Sequence, residues 1–170
     1  TTPVTITADP GAAIVFQQTR SGADVLAINL NGQPATFNGD ITVNSAGIGN
    51  NGSITANTGT LKLGNAIANF SPGSITIQQG ATLLNDGAAG KYFNLSPLTL
   101  NGGTLAATNA GHANYGNFVL TGGLVTGGTT TSVISADVRS NGGSDQTLNV
   151  GDTPEAIDLL LSGKLGHLNN

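Results

Sequence analysis

The chain has 170 residues, of which 26 are glycine and only 8% are charged, and its formal net charge is −4. Five Lys and Arg residues are too few to neutralise a row of phosphates, so the composition argues against a nucleic-acid partner and a basic membrane-binding patch. No apolar run reaches the roughly 18 residues that a membrane-spanning helix needs, and there is no Cys for disulfides or thiolate metal sites.

Short alternating segments recur along the chain and predict an all-β fold. Each segment has β-branched or Leu residues at every second position and ends at Asn or Gly, which is typical of a half-buried strand between turns. Helix signals are nearly absent, since Glu occurs only once, at Glu155. The predicted strands, in chain order, are 4–7, 26–30, 41–43, 53–55, 61–63, 75–77, 98–100, 118–120, 133–135 and 148–150.

The strands also recur as pairs joined by a glycine turn. The segments that follow this pattern are 53–63, 74–84, 97–106, 117–125 and 157–165. The turn glycine serves as the phase marker and falls at Gly59, Gly80, Gly103, Gly123 and, two steps further on, Gly163. An irregular period of roughly 20–23 residues is typical of a parallel β-solenoid, in which coils bury their apolar side chains by stacking.

Two architectures are compatible with these strands. The period predicts a single-stranded parallel β-helix of about seven coils that takes up residues 1–170 as one segment. The alternative is an antiparallel β-sandwich or meander, because Asn-Gly dipeptides favour hairpin turns and five of them start at positions 31, 38, 51, 101 and 141. We favour the solenoid because one motif repeats with one period and many strands span only three residues.

The most distinctive part of the chain, residues 97–138, contains the segments 98–109 (LTLNGGTLAATN), 114–123 (NYGNFVLTGG) and 133–138 (VISADV). On these segments the chain resembles the autotransporter-associated β-strand repeats of large secreted bacterial proteins, and the resemblance extends loosely to 53–84 and 147–165. It implies a right-handed β-helix displayed outside the cell, as one segment of a longer repeat protein or filament. Proteins with these repeats include adhesins, stalks and carriers of catalytic modules. The repeats themselves bring no catalytic residue and no cofactor.

Two longer segments between predicted strands, 85–97 and 107–117, are the candidates for recognition. Exposed aromatic rings in such loops are suited to binding carbohydrate. The residues predicted to contact a ligand are Tyr92, His112 and Tyr115. The aromatic residues predicted to stack inside the core instead are Phe70, Phe93 and Phe118.

The chain is predicted not to be an enzyme and to hold no cofactor or metal. A solenoid hydrolase or lyase needs two or three carboxylates on adjacent coils. The locally dense acids are Asp137, Asp145, Asp152 and Glu155, which we interpret chiefly as turn caps, and whether they bind a cation stays open. No Gly-x-Ser-x-Gly motif occurs, and Thr-x-Thr pairs are too irregularly spaced to predict an ice-binding face.

These observations predict a structural or adhesive segment of an extracellular bacterial surface protein. It would be a stiff stalk or filament building block, since stacked coils are rigid without disulfides or metals. The segment 159–161 is apolar and no polar cap is visible at Thr1, so we expect neighbouring repeats, or copies of the chain, to stack end to end. Surface carbohydrate is a further expected partner. The alternative is a polysaccharide-binding or polysaccharide-degrading β-helix protein.

Overall fold

The computed structural model of the chain is a parallel β-solenoid, with no helix among the described residues. Within that part of the chain, no helix is long and apolar enough to span a membrane. The structure describes residues 4–7, 9, 13–16, 27–29, 34–44, 47–49, 52–67, 70–141 and 146–167.

Short strands of three to six residues form the solenoid. Their side chains alternate between core and surface, as in the segment 74–78, where Ile75 and Ile77 are buried between half-exposed neighbours. The strands are β1 (Val4–Thr7), β2 (Ala13–Phe16), β3 (Ala27–Asn29), β4 (Ala35–Asn38), β5 (Asp40–Val43), β6 (Gly47–Gly49), β7 (Ser53–Thr58), β8 (Thr60–Leu63), β9 (Ser74–Gln78), β10 (Thr82–Asn85), β11 (Phe93–Leu95), β12 (Leu98–Asn101), β13 (Thr104–Ala107), β14 (Phe118–Leu120), β15 (Leu124–Gly127), β16 (Ser132–Ile134), β17 (Val138–Ser140), β18 (Leu148–Val150), β19 (Leu159–Leu161) and β20 (Leu165–His167).

The strands form the faces of a coiled stack. The first sheet has the order β1-β4-β7-β9-β12-β15-β18, and the second has the order β2-β5-β8-β10-β13-β16-β19. A third face consists of the pair β3-β6 and the four strands β11-β14-β17-β20. Each strand pairs in parallel with its equivalent one coil away, as Leu98 of β12 does with Ile75 of β9 and Leu124 of β15. The predicted β-solenoid is therefore confirmed.

The number of coils differs slightly from the prediction of about seven. The chain is described almost throughout over about five coils, from β7 to β20, and the first and second sheets carry two further strands before them. The antiparallel alternative is wrong, because every described strand pair is parallel. Asn38-Gly39 and Asn101-Gly102 join strands of different sheets, and the flanking strands pair with neighbouring coils rather than with each other.

Columns of apolar side chains fill the interior. The register of the paired strands places each inward residue directly above its equivalent in the next coil. In the middle of the stack these side chains are almost completely buried. One column of the second sheet contains Ile14, Ile41, Leu61, Leu83, Leu105, Ile134 and Leu161. One column of the first sheet contains Ala35, Ile54, Ile75, Leu98, Leu124 and Leu148.

The prediction that the turn glycines mark the same corner in successive coils is only partly correct. The corner between the first and second sheets carries one glycine with positive φ in each of five coils, namely Gly39, Gly59, Gly80, Gly102 and Gly128. Gly123 instead precedes the first sheet, and Gly163 lies between the second and third faces. The strand–glycine–strand pattern cannot identify one corner, because each corner of a coil needs turn residues.

The outer surface of the first sheet carries a column of threonines. The register stacks Thr5, Thr36, Thr55, Thr76 and Thr99 in consecutive strands, and Val125 and Asn149 continue the column. The irregular spacing of these residues along the sequence arises at the corners, where coils differ in length. The column consists of single threonines, one in each strand, and it becomes visible only when the strands are aligned by their register.

Thr126 places a hydroxyl group in the core. Its side chain lies in an inward column between Leu100 and Val150, and its hydroxyl finds no hydrogen-bond partner in the described part of the chain. A buried hydroxyl without a partner is destabilising. We expect Thr126→Val to raise the free energy of unfolding by about 1 kcal/mol, measured by urea denaturation. Thr121→Val is the control, because the Thr121 hydroxyl donates to the carbonyl of Leu95 at 2.9 Å; an equal gain there would contradict the explanation.

Candidate functional site

Two long loops on one side of the stack belong to adjacent coils. Residues 86–92 connect β10 to β11, and residues 108–117 connect β13 to β14, both between the second sheet and the third face. In the following coil the same connection needs only residues 135–137. The first loop is shorter than predicted, because Phe93–Leu95, within the predicted loop 85–97, is strand β11.

The two loops bring the three predicted ligand-contact residues together. The ring centroids of Tyr92 and Tyr115 lie 4.5 Å apart, and those of Tyr115 and His112 lie 4.7 Å apart. Tyr92 and His112 meet edge to face at 5.8 Å. We call these three residues the ring cluster. Tyr92 is 36% exposed, whereas Tyr115 and His112 are half-buried.

The spacing of Tyr92 and Tyr115 in the sequence is a signal for the contact between their rings. The interval from Tyr92 to Tyr115 is close to the length of one coil at this point of the stack, which runs from Gly80 to Gly102. Two positions separated by one coil stand on neighbouring coils of a solenoid. Their side chains therefore meet if both loops leave the stack in the same direction. His112 joins them because the second loop turns back on itself.

The loop of His112 is closed by a pair of backbone hydrogen bonds. The amide of His112 donates to the carbonyl of Gly116, and the amide of Gly116 donates to the carbonyl of His112, both at 2.8 Å. The His112 Nδ1 atom accepts a hydrogen bond from the amide of Asn114 at 3.1 Å. Gly116 has φ +64°, and a Cβ there would lie 2.7 Å from the carbonyl oxygen of Asp137. The tight turn therefore needs glycine at this position.

A buried asparagine on β10 holds both loops. The Asn85 side-chain amide donates to the carbonyls of Lys91 and Asn117, each at 3.0 Å, and its Oδ1 atom accepts from the amide of Gly87 at 3.0 Å. Asn85 is 2% exposed and stands where β8 carries Leu63. Asn85 is not among the residues predicted from the sequence. The signal was a polar residue at a position where alternation requires an apolar one.

A second buried asparagine, Asn117, connects the loop of His112 to the next coil. Its side-chain amide donates to the carbonyl of Asn109 at 2.9 Å, and its Oδ1 atom accepts from the amide of Asp137 at 3.0 Å. Its own backbone amide donates to the carbonyl of Asp137 at 2.7 Å. Together with Asn85, it fixes the backbone on both sides of the ring cluster.

A cavity of about 310 Å³ opens beside Tyr92. Among its described lining residues are Ile67, Lys91 and Asn94. The Lys91 ammonium donates to the carbonyl of Ile67 at 2.9 Å and lies 5.4 Å from the ring centroid of Phe93. The exposed side chain of Asn94 remains on the rim. Tyr92 is the member of the ring cluster that lines this concavity.

The three phenylalanines that were predicted to stack inside the core are buried there. Phe118, Phe93 and Phe70 are 0%, 4% and 7% exposed. Phe70 meets Phe93 edge to face at 5.7 Å between centroids, and Phe93 lies 6.4 Å from Phe118. These three rings therefore pack against one another in the interior.

The C-terminal acids are dispersed over turns. The carboxylate of Asp137 accepts from the amide of Lys164 at 3.0 Å, and the carboxylate of Asp158 accepts from the amide and hydroxyl of Thr153 at 2.7 and 2.8 Å. Asp152 and Glu155 are exposed, and Asp145 lies outside the described residues. Within the described ranges, no three His, Asp or Glu side chains are grouped so as to hold a metal ion.

The last coil exposes the apolar columns of the solenoid. The inward residues of β18, β19 and β20 remain partly exposed, at 45% for Leu148, 44% for Val150, 39% for Leu161 and 60% for Leu165. Their partners one coil earlier are buried, as Ile134 is beneath Leu161. An apolar cavity of about 220 Å³ opens among these strands. We call these four residues the end face.

Two surfaces therefore stand out in the described part of the chain. The ring cluster combines aromatic faces with a polar concavity, and the end face combines exposed apolar side chains with strand edges that no described strand covers. Comparison of the chain with protein-family models, curated proteins and solved structures gives no match.

Proposed function

We propose that the chain is a structural segment of a bacterial cell-surface protein, a stiff β-solenoid that extends by end-to-end stacking. The observation that carries the proposal is the end face. Inward side chains that are buried in every middle coil are left 39–60% exposed on the last one. Apolar surface of this kind on a soluble protein marks a site of association.

The occupant we assign to the end face is the first coil of a second copy. Strands β1 and β18 are the two end strands of the first sheet, and β2 and β19 are the two end strands of the second sheet. The partly buried Ile6 and Ile14 stand in the columns of Val150 and Leu161. Docking would therefore continue both columns and pair the free strand edges in parallel.

This contact is head to tail, and its geometry determines which type of assembly forms. The two surfaces lie at opposite ends of one stack, so each added copy presents a new free end. Contacts of this type that do not close into a ring produce open filaments. The low charge density supports stacking, because like charges aligned in successive strands repel one another. The resemblance to autotransporter repeats supports an extracellular, adhesive setting.

Two adjacent residues of β19 provide a matched test. Leu161 points into the column of Ile134, whereas Leu160 pairs with half-exposed Val133 on the outer surface. We expect the wild-type chain to sediment as a series of species whose average mass rises with concentration. Leu161→Lys should weaken association at least about tenfold, because docking would bury an unpaired ammonium, while Leu160→Lys should associate like the wild type.

The sedimentation result has a clear contradicting outcome. A wild-type chain that remains a monomer at every concentration would overturn the proposal, as would equal effects of the two lysine substitutions. Circular dichroism of both variants verifies that the β-structure is retained. Leu160 and Leu161 are both exposed, at 44% and 39%, so neither substitution is expected to unfold the solenoid.

The second candidate function is polysaccharide binding. The specific observation in its favour is the ring cluster, with Tyr92 36% exposed beside a polar concavity. This function is compatible with the structural one, because the ring cluster lies on the side of the stack and the end face lies at its tip. A surface stalk that also binds glycans would be an adhesin.

A further inference from the structure

We propose that the ring cluster of Tyr92, His112 and Tyr115 is a binding site for the pyranose rings of a neutral carbohydrate. The proposal does not depend on end-to-end association. It rests on three aromatic rings from adjacent coils that meet within 4.5 to 5.8 Å at the surface. The residue next to Tyr92 in the chain, Phe93, is buried at 4% exposure, whereas Tyr92 is 36% exposed.

The chemistry of the surface matches that of a sugar ring. A pyranose presents a face of C–H groups and a rim of hydroxyls. Aromatic rings with polar tips bind such an amphipathic object with their faces, while nearby polar groups fix its orientation. Here Tyr92 and Tyr115 stack on each other, with planes tilted by 31° and centroids 4.5 Å apart, so each ring covers one face of the other. The surface offered to a sugar ring is therefore the exposed part of Tyr92.

The surroundings supply hydrogen-bonding groups and little free charge. The cavity of about 310 Å³ beside Tyr92 is lined by polar atoms, and Asn94 exposes its side chain on the rim. Lys91 is the charged residue among the described lining residues, and its ammonium already contacts the Ile67 carbonyl and the Phe93 ring. The other described lining residues are uncharged and the chain has a formal net charge of −4, so we take the saccharide to be neutral.

The loops are fixed before any ligand arrives. Asn85 ties the backbone of Lys91 to that of Asn117, and the two hydrogen bonds between His112 and Gly116 close the second loop. A site whose backbone is held in this way loses less conformational entropy on binding than a mobile loop does. The rigidity of the solenoid thus contributes to recognition as well as to shape.

The composition of the chain provides a selective probe. The chain has two Tyr and no Trp, so both tyrosines belong to the ring cluster and their fluorescence reports on this site alone. We expect a saturable change in tyrosine emission on titration with at least one of the neutral disaccharides cellobiose, maltose and lactose. Tyr92→Ala should weaken this binding at least about fivefold, because one stacking face is lost. Tyr92→Phe retains the ring and should bind within about threefold of the wild type.

The controls separate this site from the rest of the molecule. Val125→Ala alters an exposed residue on the outer surface of the first sheet and should leave saccharide binding unchanged. Far-UV circular dichroism should be the same for all variants. The absence of a saturable change with all three disaccharides, or wild-type affinity in Tyr92→Ala, would overturn the proposal. Because sedimentation tests the end face separately, failure of one proposal is distinguishable from failure of the other.

Discussion

Gly59→Ala is expected to lower the free energy of unfolding by about 3–5 kcal/mol, the largest effect among the single substitutions considered. Gly59 has φ +68°, and a Cβ there would lie 2.5 Å from the carbonyl carbon of Gly39 in the coil below. The left-handed backbone alone costs an alanine about 1–2 kcal/mol. Separating two stacked coils adds the remainder, since the obstructing atoms are backbone and cannot rotate away.

Gly80→Ala is the matched control for this prediction. Gly80 occupies the equivalent corner with φ +75°, but a Cβ there would have no heavy atom within 4 Å. Only the cost of placing an alanine in left-handed backbone applies, so we expect the free energy of unfolding to fall by about 1–2 kcal/mol. Urea denaturation of both variants measures the difference. Equal losses would mean that coil-to-coil contact at this corner is not tight.

Asn85→Ala is expected to reduce the free energy of unfolding by about 2–4 kcal/mol. The substitution leaves the carbonyls of Lys91 and Asn117 and the amide of Gly87 without their present side-chain partner. Buried polar groups that lose a partner are destabilising even when the removed hydrogen bond is individually weak. Urea denaturation measures the change, and tyrosine emission should also change, because both loops that carry the ring cluster lose their common anchor.

Asn109→Ala serves as the control for Asn85. The Asn109 side chain is exposed and donates to the carbonyl of Gly87 at 2.9 Å. An exposed group can be replaced by water, so we expect a loss of about 0.5–1 kcal/mol. If Asn85→Ala were no more destabilising than Asn109→Ala, the buried asparagine would not be the anchor of the two loops.

The strands could be predicted from the sequence because alternation is a local property. Ile75-Thr76-Ile77 and Leu98-Thr99-Leu100 each read as a strand with one buried face, and both are strands in the structure. The parallel solenoid followed from the recurrence of such segments at an irregular period of roughly 20–23 residues. The Asn-Gly dipeptides were ambiguous, because a left-handed corner of a solenoid and a hairpin turn need the same residues.

The phase of the coils could not be predicted from glycine alone. Gly59 and Gly80 mark the corner between the first and second sheets, whereas Gly123 and Gly163 mark other corners. All corners need a sharp turn, so the same residue types, chiefly Gly and Asn, occur at each of them. Insertions at the corners also hide regularity, which is why the stacked threonines on the first sheet are irregular in sequence.

The candidate site was predicted in part. Residues Tyr92, His112 and Tyr115 were chosen for their type and their position between strands, and their mutual contact depends on the register of two coils. Asn85 was missed, because it ends its strand and an asparagine at a strand end is usually a turn residue, although alternation along β10 places it on the inward side. The alignment of Asn85 with Leu63 of β8 gives the same inward position.

We propose that copies of the chain stack end to end, and electron micrographs of the purified chain at increasing concentration test this most directly. One copy has seven described strands in each of its two longest sheets, so each docked copy should add about 34 Å to the stack. We predict rods of constant width whose lengths grow with concentration in steps of about that size. Compact particles the size of a single chain at every concentration would contradict the claim.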